Sequence, residues 1–191
     1  MELMKREKNT LKEIFSQLTP YLKAVLILYA VSLMAGAALH ERINPFISEF
    51  LEGILASVEQ KSYLETVEFI FINNFRAAFL AVLLGPVFAL YPLFATSLNG
   101  LILGGAAAKA WSTSPGLLLK ILPHGIFELP AILLSFSLGA KTGLELILPK
   151  KGAGNRKESF IINMKNSFYV LFSVILPLIL IAALIESALI K

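Results

Sequence analysis

Residues 69–110 read FIFINNFRAAFLAVLLGPVFALYPLFATSLNGLILGGAAAKA, an apolar stretch in which only one arginine and one lysine carry charge. Helical residues rise about 1.5 Å each, so the stretch is too long to cross a hydrocarbon core of about 30 Å once, and it fits two crossings. The break is expected at Tyr91-Pro92, because proline disfavours helix at the residue before it. One membrane helix is therefore predicted at about 64–90 and another at about 93–111.

Three other apolar runs are long enough to span, since a crossing needs roughly 20 apolar residues. They lie at about 21–39, 117–148 and 160–189, which gives five spans in a single integral membrane domain covering 1–191.

Helix start signals refine these boundaries. Thr19 and Pro20 form an N-cap and a first-turn proline, so the first span is expected to begin there, after a separate short helix. Capping sequences, in which Thr, Ser or Asn is followed three residues later by Glu, are expected to open that short helix, the second span and the last span. They are Thr10-x-x-Glu13, Ser62-x-x-Glu65 and Asn155-x-x-Glu158.

The string Pro123-His124-Gly125 lies inside the fourth run and is expected to break or kink its helix. The run would measure roughly 48 Å if it were wholly helical, well beyond the hydrocarbon core. Two arrangements fit this length. Either a short half-helix precedes a full span, or one strongly kinked helix crosses obliquely.

A sixth helix is expected between the first two spans, from Asn44-Pro45 onward. Its apolar residues recur at helical spacing while glutamates occupy the other faces, so it is amphipathic and too charged to span. We favour a helix that packs on the others over one that lies on the membrane surface. The predicted fold is all-α: a polytopic helical membrane protein with about five transmembrane helices, one broken helix and an external amphipathic helix.

Composition excludes several classes of activity. The chain is 57% hydrophobic and only 16% charged, whereas a soluble domain is about 25% charged. It has no cysteine, so disulfides and thiolate chemistry are excluded. It contains neither a phosphate-binding loop nor a Gly-x-Ser-x-Gly elbow. Its basic residues gather at predicted membrane boundaries, so no nucleic-acid partner is expected, and neither is a cofactor or an enzymatic activity.

Lysine and arginine counts set the expected orientation, because these residues favour the cytoplasmic side of short loops. Five crossings place the N-terminal leader and the loop before the last span on the same side. Their basic residues are Lys5, Arg6, Lys8 and Lys12 in the leader and Lys150, Lys151, Arg156 and Lys157 in the loop. We expect a multi-pass protein of the cell membrane with its N-terminus in the cytoplasm and its C-terminus outside.

Polar side chains inside the spans are the candidate functional residues, because such side chains are costly in lipid. The set is Asn73, Asn74, Arg76, Asn99, His124 and Glu128. His124 and Glu128 share one helical face at i and i+4. One interpretation is a buried polar network that holds three helices together, and the other is a proton- or cation-handling site beside the helix break. A catalytic metal is not expected, because zinc wants three protein ligands and this pair supplies two.

Glycines recur at four-residue spacing in the third and fourth predicted spans. They are Gly100 and Gly104 in one and Gly139 and Gly143 in the other. Small residues at this spacing let two helix backbones approach closely. Packing within the chain and a homodimer interface explain the pattern equally well.

The polar positions resemble the stage II sporulation protein M family, most strongly over residues 65–148. The matching features are Asn73-Asn74-x-Arg76, Asn99-Gly100 and above all Pro123-His124-Gly125-Ile126-Phe127-Glu128-Leu129-Pro130-Ala131. The resemblance implies a five-span membrane protein. The founding bacterial members of the family act in engulfment during endospore formation, as the membrane anchor of a complex with peptidoglycan-degrading partners.

The resemblance therefore implies a non-enzymatic scaffold or anchor of a larger assembly. Its expected contacts are the lipid bilayer, unidentified membrane or envelope proteins, and a second copy of the chain in a homodimer. The alternative is a small transporter or channel that uses the intramembrane His, Glu and Asn side chains.

Overall fold

The computed structural model describes residues 10–87, 89–113, 118–148 and 155–190, except for the side chains at 50–52, 54, 55, 58 and 118–124. Every secondary-structure element in these ranges is a helix, which confirms the all-α class. The helices are α1 (Leu11–Ala38), α2 (His40–Glu59), α3 (Tyr63–Leu84), α4 (Leu90–Thr113), α5 (Leu118–Ile147), α6 (Arg156–Val170) and α7 (Leu176–Ile190), with a π-helical turn (Leu171–Ile175) between α6 and α7.

Five helical segments in the described part of the chain are long and apolar enough to cross a membrane, as the sequence predicted. Three are α1, α3 and α4. The fourth is Gly125–Ile147 of α5, and the fifth is Arg156–Ile190, which α6, the π-helical turn and α7 form together. α2 is the expected external amphipathic helix.

Two of the expected capping boxes are complete. The hydroxyl of Thr10 accepts from the backbone N–H of Glu13, whose carboxylate accepts from the N–H of Thr10. Ser62 and Glu65 form the same reciprocal pair at the start of α3. The third cap is Asn155, whose side chain accepts from the N–H two residues later at 3.0 Å.

The first membrane helix begins earlier than expected. α1 runs without a break through Pro20, so the predictions of a separate short helix and of a start at Thr19-Pro20 were wrong. The Thr19 hydroxyl instead donates to the carbonyl oxygen of Phe15 at 3.0 Å, within the same turn of helix. Ile14 and Leu18 are buried in the core, and this packing of the early turns outweighs the local break signal.

The break between the second and third spans lies a few residues before the predicted Tyr91-Pro92. α3 ends before Gly85, and the N–H of Ala89 donates to the carbonyl oxygen of Gly85 at 2.9 Å across the turn. Ala89 has a left-handed φ of 59°, which reverses the chain. Pro92 falls in the first turn of α4, where its missing N–H is not needed by the helix.

α5 is a single helix that continues through Pro123-His124-Gly125. The structure therefore contains one helix here and not a half-helix followed by a span, and the break predicted at Pro123 and Gly125 does not interrupt the helix. The irregular turn lies instead in the last span, where the π-helical segment directly precedes Pro177. Such turns accommodate a proline, which cannot donate the regular helical hydrogen bond.

α1 and α4 pack backbone to backbone. A Cβ at Gly104 would overlap the carbonyl oxygen of Leu33, and one at Gly36 would overlap the backbone of α4. A Cβ at Gly100 would lie 2.8 Å from the Cβ of Ser32. The glycines of α4 therefore face α1 of the same chain.

α5 packs against α3 in the same manner. A Cβ at Gly139 would overlap the carbonyl oxygen of Ala81, and one at Gly143 would overlap that of Gly85. Both glycine ladders thus lie in contacts within the chain. α5 is the central helix of the bundle, because every residue from 131 to 143 is buried.

α2 packs on α4. Ile47 is 1% exposed, and its side chain fills the space beside Gly105 that a Cβ would otherwise occupy. The ammonium of Lys109 donates to the hydroxyl of Ser48 at 2.6 Å. These contacts favour the packing interpretation of the amphipathic helix.

Candidate functional site: polar clusters around the central helix

Three of the five members of the predicted polar set whose side chains are described are exposed. On α3, Asn73 and Arg76 are exposed and Asn74 is partly buried. On α4, Asn99 is exposed, and its amide donates to the carbonyl oxygen of Ala95 in its own helix at 2.9 Å. We call Asn73, Arg76 and Asn99 the polar face. The structure does not place these three side chains in a buried network.

The rotation of α3 explains why the polar face points outward. The buried side chains of α3 include Thr66, Ile70, Ala78 and Val82, which follow helical spacing along one stripe. Arg76 lies on the opposite side of the helix from this stripe. Ionisable residues of membrane helices usually face the bundle interior. One interpretation of the sequence therefore placed Arg76 in a buried polar network.

Glu128 is partly buried on α5, and two side chains from other helices are its electrostatic neighbours. Glu186 of α7 lies within electrostatic range of Glu128, and so does Tyr29 of α1. We call Glu128 and Glu186 the acidic pair. The side chain of His124 lies outside the described residues, so its contact with Glu128 stays a prediction.

Two hydroxyl groups near the acidic pair are buried without hydrogen-bond partners in the described structure. Tyr29 is 8% exposed and its hydroxyl accepts and donates no hydrogen bond there. Ser187 follows Glu186 in α7, is 0% exposed, and its hydroxyl is also unpaired. A buried hydroxyl that is left unpaired costs about 1–3 kcal/mol.

A second cluster lies at the end of α5 that leads into the basic loop. The ammonium of Lys141, which is 6% exposed, donates to the Oδ1 of Asn163 and lies 3.6 Å from the Oε2 of Glu145. The Nδ2 of Asn163 donates to the same Oε2 at 2.7 Å. The Tyr21 hydroxyl donates to the Oε1 of Glu145 at 2.9 Å. We call these four residues the ion cluster.

The ion cluster joins three helices, since Tyr21 belongs to α1, Lys141 and Glu145 to α5, and Asn163 to α6. A buried ion pair is favourable only if further hydrogen bonds satisfy its remaining polar atoms. The amide of Asn163 and the hydroxyl of Tyr21 provide those bonds. The ion pair and these hydrogen bonds therefore link α1, α5 and α6.

Sequence reasoning missed the ion cluster. No role is assigned to Tyr21, Lys141, Glu145 or Asn163 in the sequence analysis. The spacing of Lys141 and Glu145 at i and i+4 was the available signal, because that spacing places opposite charges side by side on a helix. The part played by Asn163 depends on where α6 packs, which no local pattern reveals.

Gly125 differs from the glycines of the two ladders. Among the described residues, a Cβ there would meet the side chain of Leu129, at 3.5 Å. Ordinary contact at that distance leaves room for a side chain, so no close backbone approach requires glycine at this position.

A lateral apolar cleft of about 600 Å³ opens between α1, α5 and the last span. Its walls include Phe15, Leu22 and Leu26 of α1 and Ile126 and Leu133 of α5. Neither the ion cluster nor the acidic pair lines this cleft. The described lining of the cleft is apolar, and its chemistry suits hydrocarbon.

The described residues contain no group of three or more His, Asp or Glu side chains that could hold a metal ion. The family model described as Stage II sporulation protein M matches residues 22–189, which is most of the chain. The comparison with curated proteins gave no significant match, and neither did the comparison with solved structures.

Proposed function

The chain belongs to the stage II sporulation protein M family, and we propose that it is a non-enzymatic membrane scaffold that anchors a larger assembly through its polar face. The observation that carries the proposal is the exposure of Asn73, Arg76 and Asn99 within membrane-spanning helices. Arg76 lies eight residues before the end of α3 at Leu84, which is about 12 Å along the helix axis.

An arginine at the centre of a membrane helix costs about 2.5–3.5 kcal/mol even on the lenient insertion scale. Within the described structure Arg76 has no hydrogen bond or ion pair that would offset this cost. A contact with another molecule in the plane of the membrane offsets it, and the amide of Asn73, three residues earlier on the same face of α3, adds hydrogen-bonding capacity.

The charge of Arg76 specifies the chemistry of the partner as a transmembrane helix with a carboxylate near its midpoint. A second copy of this chain is a poor source of that carboxylate. Glu145 is held by Lys141 and Tyr21, and Glu128 and Glu186 are both partly buried. A homodimer would also need a surface other than the glycine ladders, which are covered within the chain.

The ion cluster supports the scaffold, because a docking surface is most effective on a bundle that does not rearrange. The cluster fixes α1, α5 and α6 relative to one another, and the glycine contacts fix α4 on α1 and α3 on α5. The proposed orientation has the N-terminus in the cytoplasm and the C-terminus outside, as the basic residues favour.

Association with a synthetic helix tests the proposal. The full chain is placed in lipid vesicles with a labelled polyleucine transmembrane helix that carries one central glutamate, and binding is measured by energy transfer. We expect this helix to bind about tenfold more tightly than an all-leucine control, since interhelical polar contacts are worth about 1–2 kcal/mol.

Matched variants assign the preference to the polar face. Arg76→Gln should abolish the preference for the glutamate helix, whereas Lys23→Gln, which removes an exposed charge from α1, should preserve it. Equal binding of both synthetic helices by the unaltered chain would contradict the proposal.

A second candidate function is a small transporter or channel that uses His124, Glu128 and the asparagines. The partly buried position of Glu128 within a membrane-spanning segment favours it. The complete burial of α5 from 131 to 143 supports the scaffold instead, because that segment leaves little space for a polar passage. A proton or cation flux in vesicles that Glu128→Gln abolishes would establish transport, and the scaffold requires no flux above that of empty vesicles.

A further inference from the structure

The lateral apolar cleft follows the direction of the membrane-spanning helices that form it. On α1 its wall runs from Phe15 to Leu26, and on α5 its wall runs from Gly125 to Leu134. These stretches measure about 16 Å and about 14 Å along their helix axes, which is half the thickness of a hydrocarbon core of about 30 Å. Leu26 is 44% exposed and Ile126 is 67% exposed, so the cleft is open on its side to the bilayer.

The sequence string that carries the family resemblance forms much of the α5 wall. Gly125, Ile126, Leu129 and Pro130 belong to this string, and all four line the cleft. Docking at the polar face gives these positions no role. Because a Cβ at Gly125 would have room, glycine at this position leaves open a space that a side chain would fill.

The wall on the last span contains the irregular turn of that helix. Val174 lies within the π-helical turn, Leu178 follows one turn later, and both line the cleft. Turns of this kind occur frequently at functional sites. The irregular backbone and the resemblance string therefore lie on two walls of the same cleft.

A cation marks one end of the cleft. Lys12 is exposed in the first turn of α1, three residues before Phe15 and therefore on the same face of the helix. Its ammonium makes no hydrogen bond or ion pair with the described residues. Lysines at a membrane boundary attract anionic lipid headgroups. Apolar walls with a cation at one end are complementary to an amphiphile that has an apolar tail and an anionic head.

The size of the cleft favours an acyl chain over a helix of a partner protein. An α-helix is about 10 Å across with its side chains. The cleft holds about 600 Å³, and this volume, spread over the length of the α1 wall, has less than half the cross-section of such a helix. We propose that the cleft binds an acyl chain of an anionic phospholipid whose phosphate contacts Lys12. The site is separate from the polar face and does not depend on the scaffold function.

Lipid retention tests the site in the full chain. The protein is reconstituted in vesicles of phosphatidylcholine that contain a minor share of phosphatidylglycerol, extracted in mild detergent and washed, and the lipids that remain are counted by mass spectrometry. We expect about one retained lipid per chain. Phosphatidylglycerol should be enriched about fivefold over its share in the vesicles, which is the attraction expected of one lysine near a membrane surface.

Two variants separate the binding of the tail from that of the headgroup. Gly125→Leu fills part of the cleft and should lose the retained lipid. Ala24→Leu adds the same side chain at an exposed position of α1 away from the described lining and should keep it. Lys12→Gln should keep a bound lipid and lose the preference for phosphatidylglycerol, whereas Arg42→Gln, which removes an exposed charge from α2, should leave the preference intact.

Three results would overturn the inference. The unaltered chain could retain the two lipids only in the proportion in which they were supplied, or the Gly125→Leu protein could retain as much phosphatidylglycerol as the unaltered chain. The third is a crosslink in native membranes from a photoreactive residue at Ile126 to a protein instead of a lipid, which would show that a partner helix occupies the cleft.

Discussion

Lys141 carries an ammonium group that is 6% exposed inside a membrane-spanning helix, and the carboxylate of Glu145 compensates its charge. Removing one partner of a buried ion pair costs about 3–5 kcal/mol, whereas replacing both with apolar residues is often neutral. We expect Lys141→Met to lower the unfolding temperature in detergent by roughly 10 °C. The double variant Lys141→Met, Glu145→Met should recover at least half of that loss.

Lys165→Met is the matched control, because Lys165 is exposed on α6 and its removal leaves no buried charge. Its unfolding temperature should stay close to that of the unaltered chain. A double variant that is no more stable than Lys141→Met would show that the ammonium and the carboxylate do not depend on each other.

At the scale of residues, the sequence reveals how deep a side chain lies in the membrane better than it reveals which side chains lie near it. Glu128 lies inside an apolar run of the sequence, and the structure gives it a partly buried position on α5. Its neighbours Tyr29 and Glu186 lie in helices that are distant along the chain, so no spacing rule could identify them. Arg76 is a second example. Its depth in the membrane was evident from the sequence, but the direction in which its side chain points depends on the packing of α3.

At the scale of helices, the glycine contacts provide the sharpest prediction. A methyl group at Gly104 would overlap the carbonyl oxygen of Leu33, and backbone atoms cannot move aside as a flexible side chain does. We expect Gly104→Ala to lower the free energy of unfolding by about 1–3 kcal/mol, the usual range for overpacking. Thermal or denaturant unfolding in mild detergent measures this loss.

Gly53→Ala is the control for that substitution. Gly53 is an exposed glycine of α2, and a Cβ there would have nothing within 4 Å. Alanine favours helix over glycine by about 0.5–1 kcal/mol, so this variant should be as stable as the unaltered chain or slightly more stable. A Gly104→Ala protein of unchanged stability would contradict the close packing of α1 on α4.

The helices themselves followed from the sequence wherever length and capping decided them. Thr10 and Ser62 cap helix starts as predicted, because their hydrogen bonds are local, although the helix that Thr10 opens is α1 itself and not a separate short helix. Prolines were less informative, since Pro20 lies inside α1 and Pro92 in the first turn of α4. A proline weakens one turn, and tertiary packing such as that of Ile14 and Leu18 decides whether the helix ends there.

At the scale of the whole molecule, the five-span topology places the loop after α2 and the loop before α6 on opposite sides of the membrane. The chain has no cysteine of its own, so single cysteines can be introduced at Glu59, at the end of α2, and at Arg156, at the start of α6. We expect an impermeant maleimide added outside intact cells to label the first position and not the second.

Permeabilised cells are the control, and both positions should then be labelled. Labelling of both cysteines, or of neither, in intact cells would contradict the five-span topology. Labelling of the cysteine at Arg156 alone would reverse the proposed orientation while leaving the number of spans intact.

The central claim is that the polar face docks another membrane protein, and crosslinking in native membranes tests it most directly. A photoreactive residue is placed at Ile72, which is 52% exposed one turn before Arg76, or at Ile27, which is 65% exposed on α1. From position 72 we expect a discrete crosslink to a protein that has an acidic residue in a transmembrane helix, and Arg76→Gln should abolish this crosslink. From position 27 we expect only lipid adducts. Lipid adducts alone from position 72, or a crosslink that survives Arg76→Gln, would contradict it.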